Sequence, residues 1–270
     1  MISGRFSSTQ PGWIVFDWKS RLESAAADLF RMGYRGIELL YNSSIFEPYR
    51  KNPELLRDEL IDTGIKPVGI TASADLYLSE TIESDVAHCA RVSDAVATIG
   101  GEMLLIVPGV RRFKRPQHAL TDGQYQCMAD ALNEIGKVCR GNGIRCCLSP
   151  HVRHVIERRH EVTRILGLTD PTLVGLSFDP SHTYIGGWDP VECVEQHGTR
   201  IACVHLRNLR DGRYSNPDVG EIDMIQVLTA LKSSGYCGWI LPCMPSYAHY
   251  GKSEAEVASD NFSYLYSNLW

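Results

Sequence analysis

Val174 to His182 reads VGLSFDPSH: a short apolar run that turns polar at an Asp-Pro step. A run of this length, closed by a turn signal, reads as a strand buried on both faces. Seven further runs share the form: Trp13 to Phe16, Gly36 to Leu40, Val68 to Thr71, Met103 to Val107, Arg145 to Leu148, Ile201 to Leu206, and Trp239 to Cys243. Between them lie stretches of helical periodicity. Leu22 to Met32 is one, with Leu22, Ala25, Ala26, Leu29, Phe30 and Met32 grouped on one face and Gly33 placed as a C-cap. The order of helix, glycine and strand recurs around Gly64, Gly100, Gly143 and Gly235. Parallel strands need such helical crossovers to return the chain to the same end of the sheet.

Eight such units predict an α/β protein, a single (β/α)8 TIM barrel occupying residues 1–270 as one domain. An open doubly wound sheet uses the same units. The barrel is preferred because eight units fill the chain and no glycine-rich nucleotide loop follows the first run. In a barrel the chemistry sits beyond the C-terminal ends of the strands, so those positions carry the search for a site.

Composition narrows the partner. The chain is 44% hydrophobic and 22% charged with a net charge of −5, which gives no electrostatic footprint for nucleic acid or a membrane surface. Met1 to Gln10 lacks a basic start followed by an apolar run, and no apolar stretch approaches the ~18 residues of a membrane span, so a cytoplasmic location is expected. Nine cysteines, with Cys146 and Cys147 adjacent and most inside apolar runs, read as buried free thiols. A small molecule is the expected partner. The apolar C-terminal tail Phe262, Tyr264, Tyr266, Leu269 and Trp270 either seals the barrel or packs on a second copy, and a homodimer is expected.

Four strand ends supply candidate chemistry. The sixth run ends at Asp179 with His182 three residues on, a carboxylate and an imidazole suited to a metal ligand and an acid/base partner, although Asp-Pro is also a common turn starter. The seventh ends Cys203-Val204-His205-Leu206-Arg207-Asn208; alternation puts His205 and Arg207 on one side, His205 facing the barrel mouth with Asp179 as its expected neighbour. A hydrogen-bonded core histidine is the other reading of His205. The fifth runs into Ser149-Pro150-His151, so His151 can point to the same place. Glu38, inside the second run, is costly to bury unless paired or functional. The polar stretch with His154 and Glu157 reads mainly as a helix start. Arg111, Arg112, Lys114 and Arg115 could collect an anion at the mouth or form an ordinary basic loop.

With these residues in view the sequence resembles the xylose isomerase-like barrels, and within them inosose dehydratase and its relatives. The resemblance is densest from Ser149 to Trp239. It rests on Ser149-Pro150-His151, Leu168-Thr169-Asp170-Pro171 followed by Val174-Gly175-Leu176, Phe178-Asp179-Pro180-Ser181-His182, Asp189-Pro190, Val204-His205-Leu206-Arg207-Asn208 and Gly235-Tyr236-Cys237-Gly238-Trp239, with Glu38 as a weaker match. It implies a divalent ion (manganese, cobalt, iron or zinc) held by a fifth-strand carboxylate, the sixth-strand aspartate, the seventh-strand histidine and an eighth-strand glutamate. Asp179 and His205 match. Ser149 stands where the fifth-strand carboxylate is expected, with His151 as a substitute, and no glutamate occurs in Leu241-Pro242-Cys243-Met244. Arg207-Asn208 replaces an expected Lys-Asp.

The metal set on this reading is His151, Asp179, His205 and Cys243, with Cys243 open between ligand and core thiol. His182, Glu38 and Arg207 are the catalytic candidates. The implied activity is an isomerase, epimerase or dehydratase acting on a keto-sugar, cyclitol or related polyol by carbonyl polarisation and proton transfer. A barrel that has lost its metal, serving as a metal-free catalyst or a binding subunit, is the alternative. Abasic-site nuclease activity, found among relatives of this barrel, is disfavoured by the acidic charge and the missing carboxylates.

Overall fold

A computed structural model describes residues 9–15, 22–109, 119–245 and 248–269. Phe16, Trp270 and the basic cluster at 111–115 lie outside the described residues. Eight parallel strands close into a barrel: β1 (Gln10–Val15), β2 (Gly36–Leu40), β3 (Lys66–Ala74), β4 (Met103–Pro108), β5 (Arg145–Leu148), β6 (Val174–Phe178), β7 (Ile201–Leu206) and, after a hairpin of β8 (Asn208–Arg210) and β9 (Arg213–Ser215), β10 (Trp239–Pro242). β10 pairs with both β7 and β1, which closes the ring. The expected barrel is therefore present, and four of the eight predicted runs, those of β2, β5, β6 and β7, keep both expected ends.

The crossovers are α1 (Leu22–Met32), α2 (Glu54–Leu60), α3 (Ile82–Thr98), α4 (Asp122–Gly141), α5 (Arg159–Leu168), the pair α6 (Pro180–Ile185) and α7 (Pro190–His197), and α8 (Met224–Ser233). α9 (Glu254–Leu269) follows β10. In α1 Leu22, Ala25, Ala26 and Leu29 are buried as the period requires, whereas Phe30 is 39% exposed and leans over Gly64 at the end of α2. Gly33 has φ +114°, and a side chain there would run into the Phe262 ring, so the position demands glycine twice over.

α9 ties the chain end back to its beginning. The Trp13 indole donates to Glu254, and the Tyr34 hydroxyl donates to the Ala258 carbonyl. Leu265 and Leu269 are buried while Tyr266 is exposed, so this face of the tail seals the barrel. Seven of the nine cysteines are buried and all nine are free, in line with the thiol reading. No helix among the described residues is long and apolar enough to cross a membrane.

Inside the barrel the strands present a narrow apolar layer that includes Ile14, Leu105, Cys147, Cys203, Leu241 and Cys243. The larger core lies between strands and helices and includes Val204 and Leu206. The alternation along β7 is thus as expected: Cys203 and His205 point inward, Val204 and Leu206 outward.

Candidate functional site

Glu38 comes up from the middle of β2, level with Ile14 and Gly69 on the flanking strands, and is fully buried. A carboxylate in that position must find donors. It finds two: Thr71 Oγ1 donates to Oε1 at 2.6 Å, and His205 Nε2 lies 2.8 Å from Oε2. β1 and β10 separate β2 from β7 in the ring, so the Glu38–His205 pair crosses the barrel interior rather than running along the sheet.

Asp179 divides its two oxygens between two tasks. Oδ1 caps α6, accepting from Ser181 N at 2.8 Å, Ser181 Oγ at 2.6 Å and His182 N at 3.2 Å. Oδ2 lies 2.8 Å from Arg207 Nη2. The turn-starter reading of this residue is realised through Oδ1, while Oδ2 is held by an arginine. Burial by itself would raise this carboxyl, but Arg207, His182 and the Ser181 hydrogen bond outweigh it and hold the carboxyl well below the ordinary range.

Arg207, 4% exposed, is the hub of the mouth. Nε donates to Ser181 Oγ at 3.0 Å, Nη2 meets His182 Nε2 at 2.7 Å, and Nη1 reaches the Cys243 carbonyl at 3.4 Å. The Tyr214 ring lies under the guanidinium at 3.9 Å, a cation–π contact. His182 Nδ1 lies 3.5 Å from the Tyr214 hydroxyl. The backbone N–H of Val152 donates to the same Nδ1 at 3.4 Å.

His151 stacks on His182 with ring centroids 4.0 Å apart. Burial and the neighbouring Arg207 lower His151 to about 3, and burial with His151 lowers His182 well below its ordinary value, so both rings are neutral at pH 7. His154 flanks the group, its ring 5.5 Å from His151.

The expected metal set is not gathered as a set. Asp179 faces a guanidinium, His205 faces Glu38, and Cys243 is packed in the inner apolar layer with its thiol pushed up by burial to about 12. Among the described residues the group whose ligand atoms lie within 4.8 Å of one another is Glu38, Cys203 and His205. The fit to a divalent ion therefore splits. At Asp179 a permanent positive charge already sits on the carboxylate, which disfavours a second cation. At Glu38, Cys203 and His205 the oxygen, sulfur and nitrogen donors suit a borderline-soft ion such as zinc. That ion would replace the proton between Glu38 and His205 and the proton on Cys203, whose thiol is raised well above its ordinary value by burial and by Glu38.

Three contributors were not singled out from the sequence. Cys203 could have been, since it lies two residues before His205 on the same strand face. Thr71 ends the third predicted run beside Glu38. Tyr214 had no signal, because it sits on a hairpin inserted between β7 and α8 that breaks the repeat.

Comparisons with known proteins agree with this architecture. An inosose dehydratase of Geobacillus kaustophilus is 28% identical over 222 residues, 72% of this chain and 72% of that protein. The structure of an L-ribulose 3-epimerase superposes with a TM-score of 0.81 at 16% identity, covering 97% of this chain and 94% of that one. The IolI protein with a bound zinc atom superposes with a TM-score of 0.80 at 18% identity, covering 97% and 99%. The family model described as xylose isomerase-like TIM barrel matches residues 26–267, and the chain belongs to that family.

Proposed function

We propose that this protein moves a proton at a carbon next to a carbonyl in a keto-sugar, cyclitol or related polyol, as an isomerase, epimerase or dehydratase. The observation that carries the reading is that two buried carboxylates, Glu38 and Asp179, each pair with a different kind of basic side chain, an imidazole and a guanidinium. His205, hydrogen-bonded to Glu38, is the proton carrier. The imidazole takes the carbon-bound proton, Glu38 holds the resulting imidazolium, and Thr71 holds Glu38.

The electrons left behind move to the carbonyl oxygen, and Arg207 takes that charge. Its 3.4 Å contact to the Cys243 carbonyl is the weakest it makes, so a substrate oxygen displaces it with least loss. Asp179, Ser181 and Tyr214 fix the guanidinium in place, while neutral His182 offers a further polar contact. Return of the His205 proton at a neighbouring carbon gives isomerisation, its transfer to a departing β-hydroxyl releases water and gives dehydration, and protonation of the opposite face by a water molecule gives epimerisation. The inosose dehydratase and epimerase relatives support this range of outcomes.

A second reading rests on the convergence of Glu38, Cys203 and His205. These three would hold a divalent ion, which would supply polarisation of the carbonyl, and Arg207 and His182 would keep the roles given above. A panel of inososes and ketohexoses, followed by NMR in deuterated water before and after chelation, tests both. Deuterium entering beside the carbonyl in metal-depleted protein supports the first reading. Incorporation that vanishes on chelation and returns with zinc supports the second. No incorporation into any of the panel under either condition would overturn the proposed chemistry.

A further inference from the structure

A cavity of about 660 Å³ lies on the far side of Tyr214 from Arg207. Its walls are the β8–β9 hairpin and the segment following β10, and its charged lining is Arg210, Asp211, Arg213 and Lys252, with His249 and Tyr250 beside them. By contrast the space beneath Asp179 and His182 is about 10 Å³. The hairpin is held firmly. Asn208 donates to the Pro217 and Ile222 carbonyls and accepts from Leu209 N and Ile222 N, so all of its hydrogen-bonding capacity serves to pin the hairpin to the loop beyond it.

The charge arrangement on that rigid hairpin is unusual. Arg210 and Arg213 are directly opposed across a two-residue turn, Asp211 and Gly212, in which both residues have positive φ. Like charges at directly opposed positions repel, an arrangement that costs stability unless an anion sits between them. Asp211 compensates little, 3.8 Å from Arg210 with both side chains largely in water, and Arg213 has no acidic partner among the described residues. Lys252 is engaged with Asp260, which leaves the two guanidiniums as the uncompensated charge.

One further residue joins the cavity to the mouth. Tyr250, at the strained φ of +52°, donates its hydroxyl to the backbone carbonyl of Tyr214, whose ring lies under Arg207. Tyr214, between the cavity-lining Arg213 and Ser215, thus connects the cavity wall to Arg207.

We infer that the Arg210–Arg213 cavity binds an oxyanion of the phosphate class, and that this anion is carried by the substrate whose carbonyl end meets Arg207. Paired guanidiniums present fork-shaped donors that match phosphate oxygens two at a time. The existence of the anion site is independent of the proposed reaction; the assignment of the anion to the substrate rests on it. The substrate class becomes a phosphorylated keto-polyol rather than a neutral one.

Calorimetric titration of the full chain at low ionic strength tests this without any turnover. Inorganic phosphate is expected to bind at or below the low millimolar range, at least about tenfold weaker in Arg210→Gln/Arg213→Gln. The Arg210→Lys/Arg213→Lys protein, which keeps the charge, retains part of the affinity. Absence of phosphate binding to the wild type, or equal binding by the double glutamine variant with an unchanged circular-dichroism melt, overturns the site. A polyol monophosphate is expected to bind at least about tenfold more tightly than phosphate itself, from added contacts at the mouth. Equal affinities would overturn the assignment to substrate. Failure of the deuterium experiment above with intact phosphate binding would indict the reaction and not the cavity.

Discussion

The Glu38–His205 pair and the Asp179–Arg207 pair lie at the same mouth, and each joins a buried carboxylate to a basic side chain at 2.8 Å. They differ in what the basic partner can give up. An imidazole exchanges its proton near neutrality, whereas a guanidinium never does under physiological conditions. On the proposed function the first pair moves a proton and the second holds a charge in place. The difference shows that distance and burial do not assign roles by themselves; the protonation chemistry of the partner does.

Substitutions that erase the difference should have the largest consequences. Glu38→Gln keeps a hydrogen-bonding group beside His205 but removes the charge that steadies its imidazolium, so kcat should fall by about 10²–10⁴. Arg207→Ala strands the Asp179 carboxylate. Loss of the charge-holding donor should cost about 10²–10³ in kcat. Breaking the buried pair should also cost about 3–5 kcal/mol of stability by urea unfolding. Arg207→Lys should recover more of the stability than of the rate, because an ammonium restores charge without the planar fork.

Acidity should also tell the two regions apart. His151, lowered to about 3, and His182, lowered well below its ordinary value by burial and by His151, bind fewer protons folded than unfolded below pH 6.5. Stability then falls as pH drops from about 6.5 towards 3, by at most about 1.4 kcal/mol per pH unit for each ring. Asp179, held low, adds its own loss only as pH falls below its ordinary 3.8. Urea midpoints measured between pH 7 and pH 5 should decline, and His151→Phe should flatten that decline. An unchanged slope in the variant would show that His151 is readily protonated in the folded protein.

The smallest effects are expected at the thiols. Cys243→Ser should change activity less than about threefold, since this side chain packs in the inner layer and lends only its carbonyl to Arg207. Cys203→Ser should leave the rate of metal-depleted protein similar while weakening zinc uptake, because sulfur is the soft member of its donor group.

Much of the fold was legible because a barrel strand leaves a strong local mark. β5, β6 and β7 begin and end where the apolar runs do, and glycines with positive φ punctuate the helix ends at Gly64, Gly100, Gly143 and Gly235. The residues of the site were legible one by one, since Glu38 is a carboxylate inside an apolar run, Asp179 is one just past a strand end, and alternation turns His205 inward. Their pairing was not. Adjacency of β6 and β7 suggested Asp179 as the partner of His205, yet inward side chains meet across the barrel lumen, and Glu38 reaches His205 past two intervening strands. Arg207 then takes Asp179, a contact set by how far its long side chain folds back over α6. Tyr214 depends on a hairpin outside the βα repeat, which no period announces.

The most direct test of the central claim is deuterium exchange at the carbon beside the carbonyl, followed by NMR on metal-depleted wild-type protein and His205→Gln with the same keto-polyol. The account predicts exchange in the wild type and a loss of about 10²–10⁴ in its rate in the variant, with the fold intact by circular dichroism. Exchange at the wild-type rate in His205→Gln would contradict it.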